Sequence, residues 1–176
     1  MERTISGMMG KGSVNHNTRA FSAKNVDKER SRDNVDFCHE DIKAVYHELF
    51  DEALERYNAK QKRSDRKIEN YYEKIRQGKQ EKLFYEVIFQ IGNRDDMNVR
   101  SEEGQLAKQI LSDFMADFQS RNPNLHVFSA HLHMDEETPH IHIDFVPVIT
   151  WSKPGLDTRV SLKGALAEQG FEGGTR

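Results

Sequence analysis

The sequence is poor in the features that mark extracellular and membrane proteins. One cysteine, Cys38, stands among 176 residues. It allows no internal disulfide framework and no multi-cysteine metal site, so a reduced, cytoplasmic setting fits best. No apolar run nears the roughly 18 residues of a membrane-spanning helix. Residues 1–10 lack the apolar centre of a secretory signal. Net charge of either sign is also scarce: 26 Lys and Arg stand against 29 Asp and Glu, a formal net of −3. That overall balance gives no leaning toward nucleic acid. What remains is a polar chain, 36% hydrophobic, of a length that suits one ordinary domain.

The charge is unevenly spread. Arg56–Lys82 holds 10 basic residues against 4 acidic ones, whereas Leu83–Asp144 holds 4 against 11. Any single charge run reads first as a solvated helix face, but a basic and an acidic stretch in one chain point to two jobs. Between and around these runs the hydrophobic pattern gives the elements. A short strand is expected at Arg3–Met8, followed by a Gly-rich loop. Ile42, Val45, Tyr46, Leu49, Phe50, Ala53, Leu54 and Tyr57 recur at helical spacing, which predicts a helix from His39 that continues or restarts to about Arg76. Leu83–Ile91 is β-branched and aromatic on both faces except at Glu86 and Gln90, and reads as a central strand. A second helix spans Ser101–Arg121 and a short one Ser161–Gln169, while Leu125–His133 and His140–Ile149 read as strands. The fold class expected is α+β, an antiparallel-dominated sheet with flanking helices.

The chemistry concentrates in HLHMDEETPHIH, residues 131–142. Side chains alternate along a strand, so His131 and His133 share one face of the first strand. His140, His142 and Asp144 share one face of the second. If the strands pair, opposed side chains lie roughly 5 Å apart, a suitable distance for imidazoles converging on one ion. Neutral imidazole is a common metal ligand, and three of them leave open positions on a divalent ion. Such an ion can polarise a phosphoryl or carbonyl oxygen. Asp135 and Glu136 in the connecting loop offer a further ligand, a partner that orients an imidazole, or a base. A lone strand histidine is usually only that, but four of the chain's eight within twelve residues favour a metal site. His133, His140 and His142 are the preferred ligands.

The string HMDEETPHIH resembles the histidine signature of the HUH endonucleases, and more closely the His-x-Asp-Glu-x-Thr-Pro-His-x-His pattern of the MobV relaxases, also called Pre/Mob proteins. Val14-Asn15-His16-Asn17-Thr18-Arg19 is similar to that family's His-Asn-x-Arg motif. Asn25-Val26-Asp27, Glu29-Arg30-Ser31, Ser161-Leu162-Lys163 and Glu168-Gln169-Gly170-Phe171 resemble further blocks, so the likeness spans essentially the whole chain. Two departures stand out. Relatives carry His-Leu-Asn where this chain has Arg32-Asp33-Asn34, and no tyrosine precedes Tyr46.

The resemblance implies a DNA strand transferase that nicks one strand at an origin of transfer and stays attached to the 5′ phosphate. Residues 1–176 would form a single nicking domain, the N-terminal part of a longer bacterial cytoplasmic protein. In that reading His133, His140 and His142 hold the metal, Mn²⁺ or Mg²⁺. His16 is the nucleophile, Glu136 the acidic partner, and Arg19 a contact to DNA phosphate or a stabiliser of charge near the scissile bond. The alternative nucleophiles in the chain are Tyr71 and Tyr72. Single-stranded or hairpin origin DNA is the expected partner, with Lys62, Arg63, Arg66, Lys67, Arg76 and Lys79 among the basic residues lining a phosphate path. Other mobilisation or secretion-channel proteins, and oligomerisation through a C-terminal region, are further expected partnerships. Two rivals stay open. A phosphoesterase using metal-bound water would leave no covalent intermediate, and a DNA-binding module with a structural metal would not nick.

Overall fold

The computed structural model describes residues 4–21 and 23–172. The chain divides into two compact units. The first comprises Met1–His39, Tyr85–Arg121 and Ser129–Phe145, and the second Glu40–Phe84, Asn122–Phe128 and Val146–Arg176.

In the first unit, strand β1 (Ile5–Met9) leads into the one-turn helix α1 (Val14–Asn17) and then to strand β2 (Val35–His39). Strand β3 (Tyr85–Ile91) is followed by helices α4 (Glu102–Ala116) and α5 (Phe118–Arg121). Strands β4 (Leu125–His133) and β5 (His140–Ile149) contribute residues to both units. The sheet order is β1-β3-β5-β4-β2. The class is α+β, as the pattern predicts, and β3 is internal.

Register decides where the polar side chains go. β3 and β5 pair antiparallel with Glu86 opposite Asp144, Ile88 opposite His142 and Gln90 opposite His140. Opposed residues share a face, so Glu86 joins the histidine row. Ile141, Ile143 and Phe145 point the other way and are buried. On that apolar side Phe89 packs edge-on against Phe114 of α4 at 4.7 Å between centroids. One face of the sheet is therefore core, and the other carries the chemistry.

The second unit holds helices α2 (Ile42–Ala59) and α3 (Tyr71–Gln77), strand β6 (Arg159–Val160) and helix α6 (Leu162–Glu168). Val45, Tyr46, Phe50 and Ala53 form the buried stripe of α2, and Phe50 meets Tyr71 at 5.0 Å. The expected His39–Arg76 helix is thus two helices. Ile68 is the first large apolar residue after Tyr57, so a continuous helix would have nothing to bury there. Instead Asn58 holds Ile68 from both sides, accepting from its N–H at 2.9 Å and donating to its carbonyl at 2.8 Å. The Asn70 side chain then caps α3 by accepting from the Glu73 N–H. Val35–His39, given no element in the sequence reading apart from His39 at the start of that helix, is an edge strand: it pairs with β4 around a bulge between Asp36 and Cys38. The second predicted helix is interrupted at Asp117. Arg3 of the expected first strand lies outside the described residues.

Candidate active site

The three hairpin histidines have their ring protons assigned by their neighbours. His133 donates from Nε2 to the carbonyl of Asn17 at 2.8 Å. His140 donates from Nδ1 to the carbonyl of Thr138 at 2.8 Å. His142 donates from Nδ1 to Glu86 Oε1 at 2.6 Å. Each ring thereby keeps a bare nitrogen for the site. His133 Nδ1 and His142 Nε2 are buried with no hydrogen-bond partner among the described residues. Their ring centroids lie 4.8 Å apart, with His140 5.3 Å from His133 and 5.1 Å from His142. Burial of unpaired lone pairs is costly unless something takes them. The bare nitrogens of His133 and His142 therefore fit a divalent ion, with the carboxylate and carbonyl behind these rings fixing their tautomers. Burial lowers the pKa of His133, to about 2, and also that of His140, so both rings stay in the neutral form that binds metal.

His131 does not join them. Its Nδ1 meets Asp36 Oδ1 at 2.6 Å and its Nε2 meets Ser129 Oγ at 2.9 Å, so both nitrogens are engaged.

His16 arrives from a separate part of the chain. It sits in α1, its ring 5.8 Å from His133 and 5.7 Å from His142. Ligand atoms of His16, His133 and His142 lie within 4.8 Å of one another, and the same holds for His133, Glu136 and His140. Burial, then the charge of Arg19, lowers the pKa of His16, which keeps the ring neutral.

The residue after His16 was not anticipated as functional. Asn17 is 1% exposed. Its side-chain amide donates to Glu86 Oε1 at 2.8 Å and to Asp144 Oδ2 at 2.9 Å, while its carbonyl receives His133. Asn17 thus ties the turn that carries His16 to three strands of the histidine face. Glu86 is the second omission. It accepts from His142, Asn17 and the Gly12 N–H, the last at 2.7 Å. Burial alone would raise its pKa, but these bonds bring it down to about 2. The space is so tight that a Cβ at Gly10 would stand 1.9 Å from Glu86 Oε2. Burial raises the neighbouring Asp144 to about 6, with repulsion from Glu86 adding to it. The sequence marked Asp144 by its place on the face of His140 and His142, and Glu86 only as a carboxylate interrupting an apolar strand.

Arg19 has a left-handed backbone (φ +58), uncommon for a side chain with a Cβ. Its guanidinium folds back over His16, with Nη1 3.3 Å from His16 Nε2. Arg19 Nε donates to Asp135 Oδ2 at 2.9 Å, and Nη2 donates to Asp135 Oδ1 and, at 2.9 Å, to Glu136 Oε1. Arg19 is therefore held by two carboxylates rather than facing solvent. Asp135 is fully buried and also accepts from Ser31 Oγ at 2.7 Å and Asn34 Nδ2 at 2.8 Å. Burial would raise its pKa; the bonds from Arg19, Ser31 and Asn34 hold it far below the usual carboxylate range. Asn34 Oδ1 accepts from the Met134 N–H, and Arg30 donates to the carbonyls of Met134 and Glu136. The Asp27–Asn34 segment is thus a brace on the hairpin loop, which gives Asn34 its purpose.

The basic residues Lys62, Arg63, Arg66, Lys67, Arg76 and Lys79 are all exposed, in the second unit. Arg63 is paired with Asp65 and Arg76 with Glu73. Lys62, Arg66, Lys67 and Lys79 have no ion pair among the described residues. Tyr71 is core: it is 7% exposed, and its hydroxyl accepts from the Val160 N–H. Tyr72 packs against Tyr46 at 5.3 Å. Both belong to the second unit, whereas the histidine site belongs to the first.

Among solved structures, the MobM relaxase domain (MOBV; Mob_Pre) bound to plasmid pMV158 oriT DNA of 22 nucleotides, Mn-bound at pH 5.5, is 23% identical, covers 90% of this chain and 74% of its own, and gives a TM-score of 0.48. The same domain with a 3′-thiophosphate DNA at pH 6.8 is 22% identical, with coverage of 90% and 74% and a TM-score of 0.48. No curated protein matches the chain. The profile of the Mob_Pre family, described as plasmid recombination enzyme, matches residues 9–154, which take in α1, the Asp27–Asn34 brace, Glu86 and the whole histidine hairpin. The chain belongs to this family of plasmid recombination enzymes.

Proposed function

We propose that the chain is the nicking domain of a relaxase, a metal-dependent and strand-specific DNA endonuclease. It would cleave origin-of-transfer DNA through a covalent 5′-phosphoryl-His16 intermediate and so start plasmid mobilisation in the bacterial cytoplasm. The observation that carries this is the approach of His16 to within 4.8 Å of the ligand atoms of His133 and His142, whose free nitrogens are buried.

A divalent ion on His133 Nδ1, His140 Nε2 and His142 Nε2 would act as a Lewis acid on a phosphoryl oxygen, and the mixed imidazole and carboxylate donors suit Mn²⁺ better than Mg²⁺. The chain's own groups do the rest. His16, neutral, would present the Nε2 lone pair to phosphorus once the contact from Arg19 Nη1 opens, so no separate base is needed. The new P–N bond forms as the bond to the 3′ oxygen breaks. That oxygen leaves as a 3′ hydroxyl after taking up a proton, and His16 sheds its Nδ1 proton. Arg19 and Glu136 hold the ring from one side: Arg19 Nη1 lies 3.3 Å, and Glu136 Oε1 3.7 Å, from Nε2. Asn17 fixes the turn from the other. Arg19 acts here mainly by positioning Asp135 and Glu136. Phosphate binding falls to Lys62, Arg63, Arg66, Lys67, Arg76 and Lys79, four of which have no ion pair among the described residues.

The test is incubation with Mn²⁺ and supercoiled DNA carrying the sequences that adjoin the protein's own gene, followed by a denaturing gel. A protein–DNA adduct is expected with the wild type and with Tyr71→Phe, but not with His16→Ala or after chelation. Cleavage without an adduct would favour hydrolysis by metal-bound water. DNA binding without cleavage would favour a non-catalytic module.

A further inference from the structure

The loop between β5 and β6 contains an unusual residue. Trp151 is the only tryptophan of the chain, yet it is 90% exposed. Its backbone is left-handed, at φ +60. A bulky side chain rarely adopts that conformation, and exposing an indole forgoes the burial that the residue type normally provides. Two unfavourable features at one position point to a use outside the fold.

The loop around it is not slack. The Ser152 N–H donates to the Asp157 carbonyl at 2.9 Å, and Arg159 Nε donates to Ser152 Oγ at 2.8 Å. Arg56 grips Asp157 with two bonds of 2.9 Å, which neutralises the loop's one acidic residue. The indole is thus presented by a braced segment. Basic clefts adjoin the same loop. One, of about 650 Å³, is lined by Lys74, Lys79, Pro154, Gly155 and Arg159. Another, of about 280 Å³, is lined by Tyr57, Lys60, Gln61 and Lys153. None of Lys60, Lys74, Lys79 and Lys153 forms an ion pair among the described residues.

A flat aromatic face set among unpaired cations matches unpaired nucleic acid. The bases offer π-faces for stacking, and the strand's phosphates lie within reach of neighbouring cations. We infer that the 150–158 loop is a single-stranded DNA contact, with Trp151 stacked on an unpaired base and Lys60 and Lys153, together with Lys74 and Lys79, holding phosphates of that strand. This rests on the DNA-nicking reading above and adds where unpaired DNA is gripped. Stacking tolerates any base, so the contact supplies affinity and not sequence choice.

The lone tryptophan makes the experiment site-specific, because all tryptophan emission comes from this loop. The whole chain is titrated with a mixed-sequence single-stranded oligonucleotide, the matching duplex, and inorganic polyphosphate as an anion without bases. Oligonucleotide anisotropy is followed in parallel. The single strand should quench the emission over the range in which anisotropy rises, and polyphosphate should leave it nearly unchanged. Trp151→Ala should weaken single-strand affinity about tenfold, with Trp151→Phe recovering part of the loss. Binding seen by anisotropy with unchanged emission, or wild-type affinity in Trp151→Ala, overturns the assignment; so does equal quenching by polyphosphate. The same titration on His16→Ala separates the two readings. Quenching that persists there, with no adduct from the wild type, would sink the nicking chemistry and keep the contact.

Discussion

The histidine hairpin and the basic stretch at 60–82 are both dense in charge, yet they are built in opposite ways. Around the hairpin nearly every polar group is buried and committed: Asp135 accepts from three residues, Glu86 from three, and Asn17 bridges two carboxylates. Along the basic stretch the cations are exposed and mostly unpaired, joined by a short turn and a seven-residue helix. The first arrangement suits chemistry, where reacting atoms must be held in place. The second suits attraction to a polyanion, where the number of charges matters and exact geometry does not. If this contrast is right, substitutions in the two regions should fail in different ways.

The largest effect should come from His16→Ala. Adduct formation should drop below detection, while Mn²⁺ affinity measured by calorimetry should stay within a few-fold of wild type. A loss of metal affinity of tenfold or more would recast His16 as a ligand, and the nucleophile would have to be sought elsewhere. Next comes Asp135→Asn. It leaves the half-buried Arg19 guanidinium without its main counter-charge and weakens the brace through Ser31 and Asn34. Removing one member of such a pair costs about 3–5 kcal/mol, to be read from urea unfolding. A cost under about 1 kcal/mol would mean that the pair behaves as an exposed one.

The histidine strands were legible in the sequence because their signals are local. His131, His133, His140 and His142 alternate within two strands, and the strand bounds Leu125–His133 and His140–Ile149 match the structure. Glu136 was legible in the connecting loop, but His16 and Arg19 entered only through a resemblance, since nothing local says that a residue near the start of the chain will fold onto a hairpin more than a hundred residues later. Glu86 and Asn17 stayed hidden for the same reason. Their partners are 56 to 127 positions away, and strand register alone brings them together. Whether the helix continues or restarts after Ala59 stayed open because propensity alone does not end a helix in 62–67. What the segment lacks is an apolar stripe to dock, and the Asn58–Ile68 clasp is not written in propensity.

Glu86→Gln probes the buried region more gently. The amide keeps the size of the side chain but removes the charge that orients His142 and accepts the Gly12 N–H. Partners of this kind alter metal affinity by about 10–100-fold. Calorimetric titration with Mn²⁺ should show a loss near the lower end, because Asn17 still braces the site through Asp144. An unchanged affinity would mean that His142 is oriented by the strand alone.

The smallest and most graded effects belong to the basic stretch. Removing one phosphate-binding side chain should lower the slope of log affinity against log salt by about one. Lys62→Ala and Lys67→Ala should each do so, since neither side chain has an ion pair to leave among the described residues. Arg76→Ala and Arg63→Ala should do less, because Glu73 and Asp65 already hold those guanidiniums and must be displaced before phosphate can bind. None of the four should alter the yield of adduct once DNA is saturating. Equal slopes for the paired and unpaired residues would show that these surface ion pairs dissolve as DNA approaches. The basic stretch would then act as a uniform field, in which the total charge sets the affinity and the position of each cation does not.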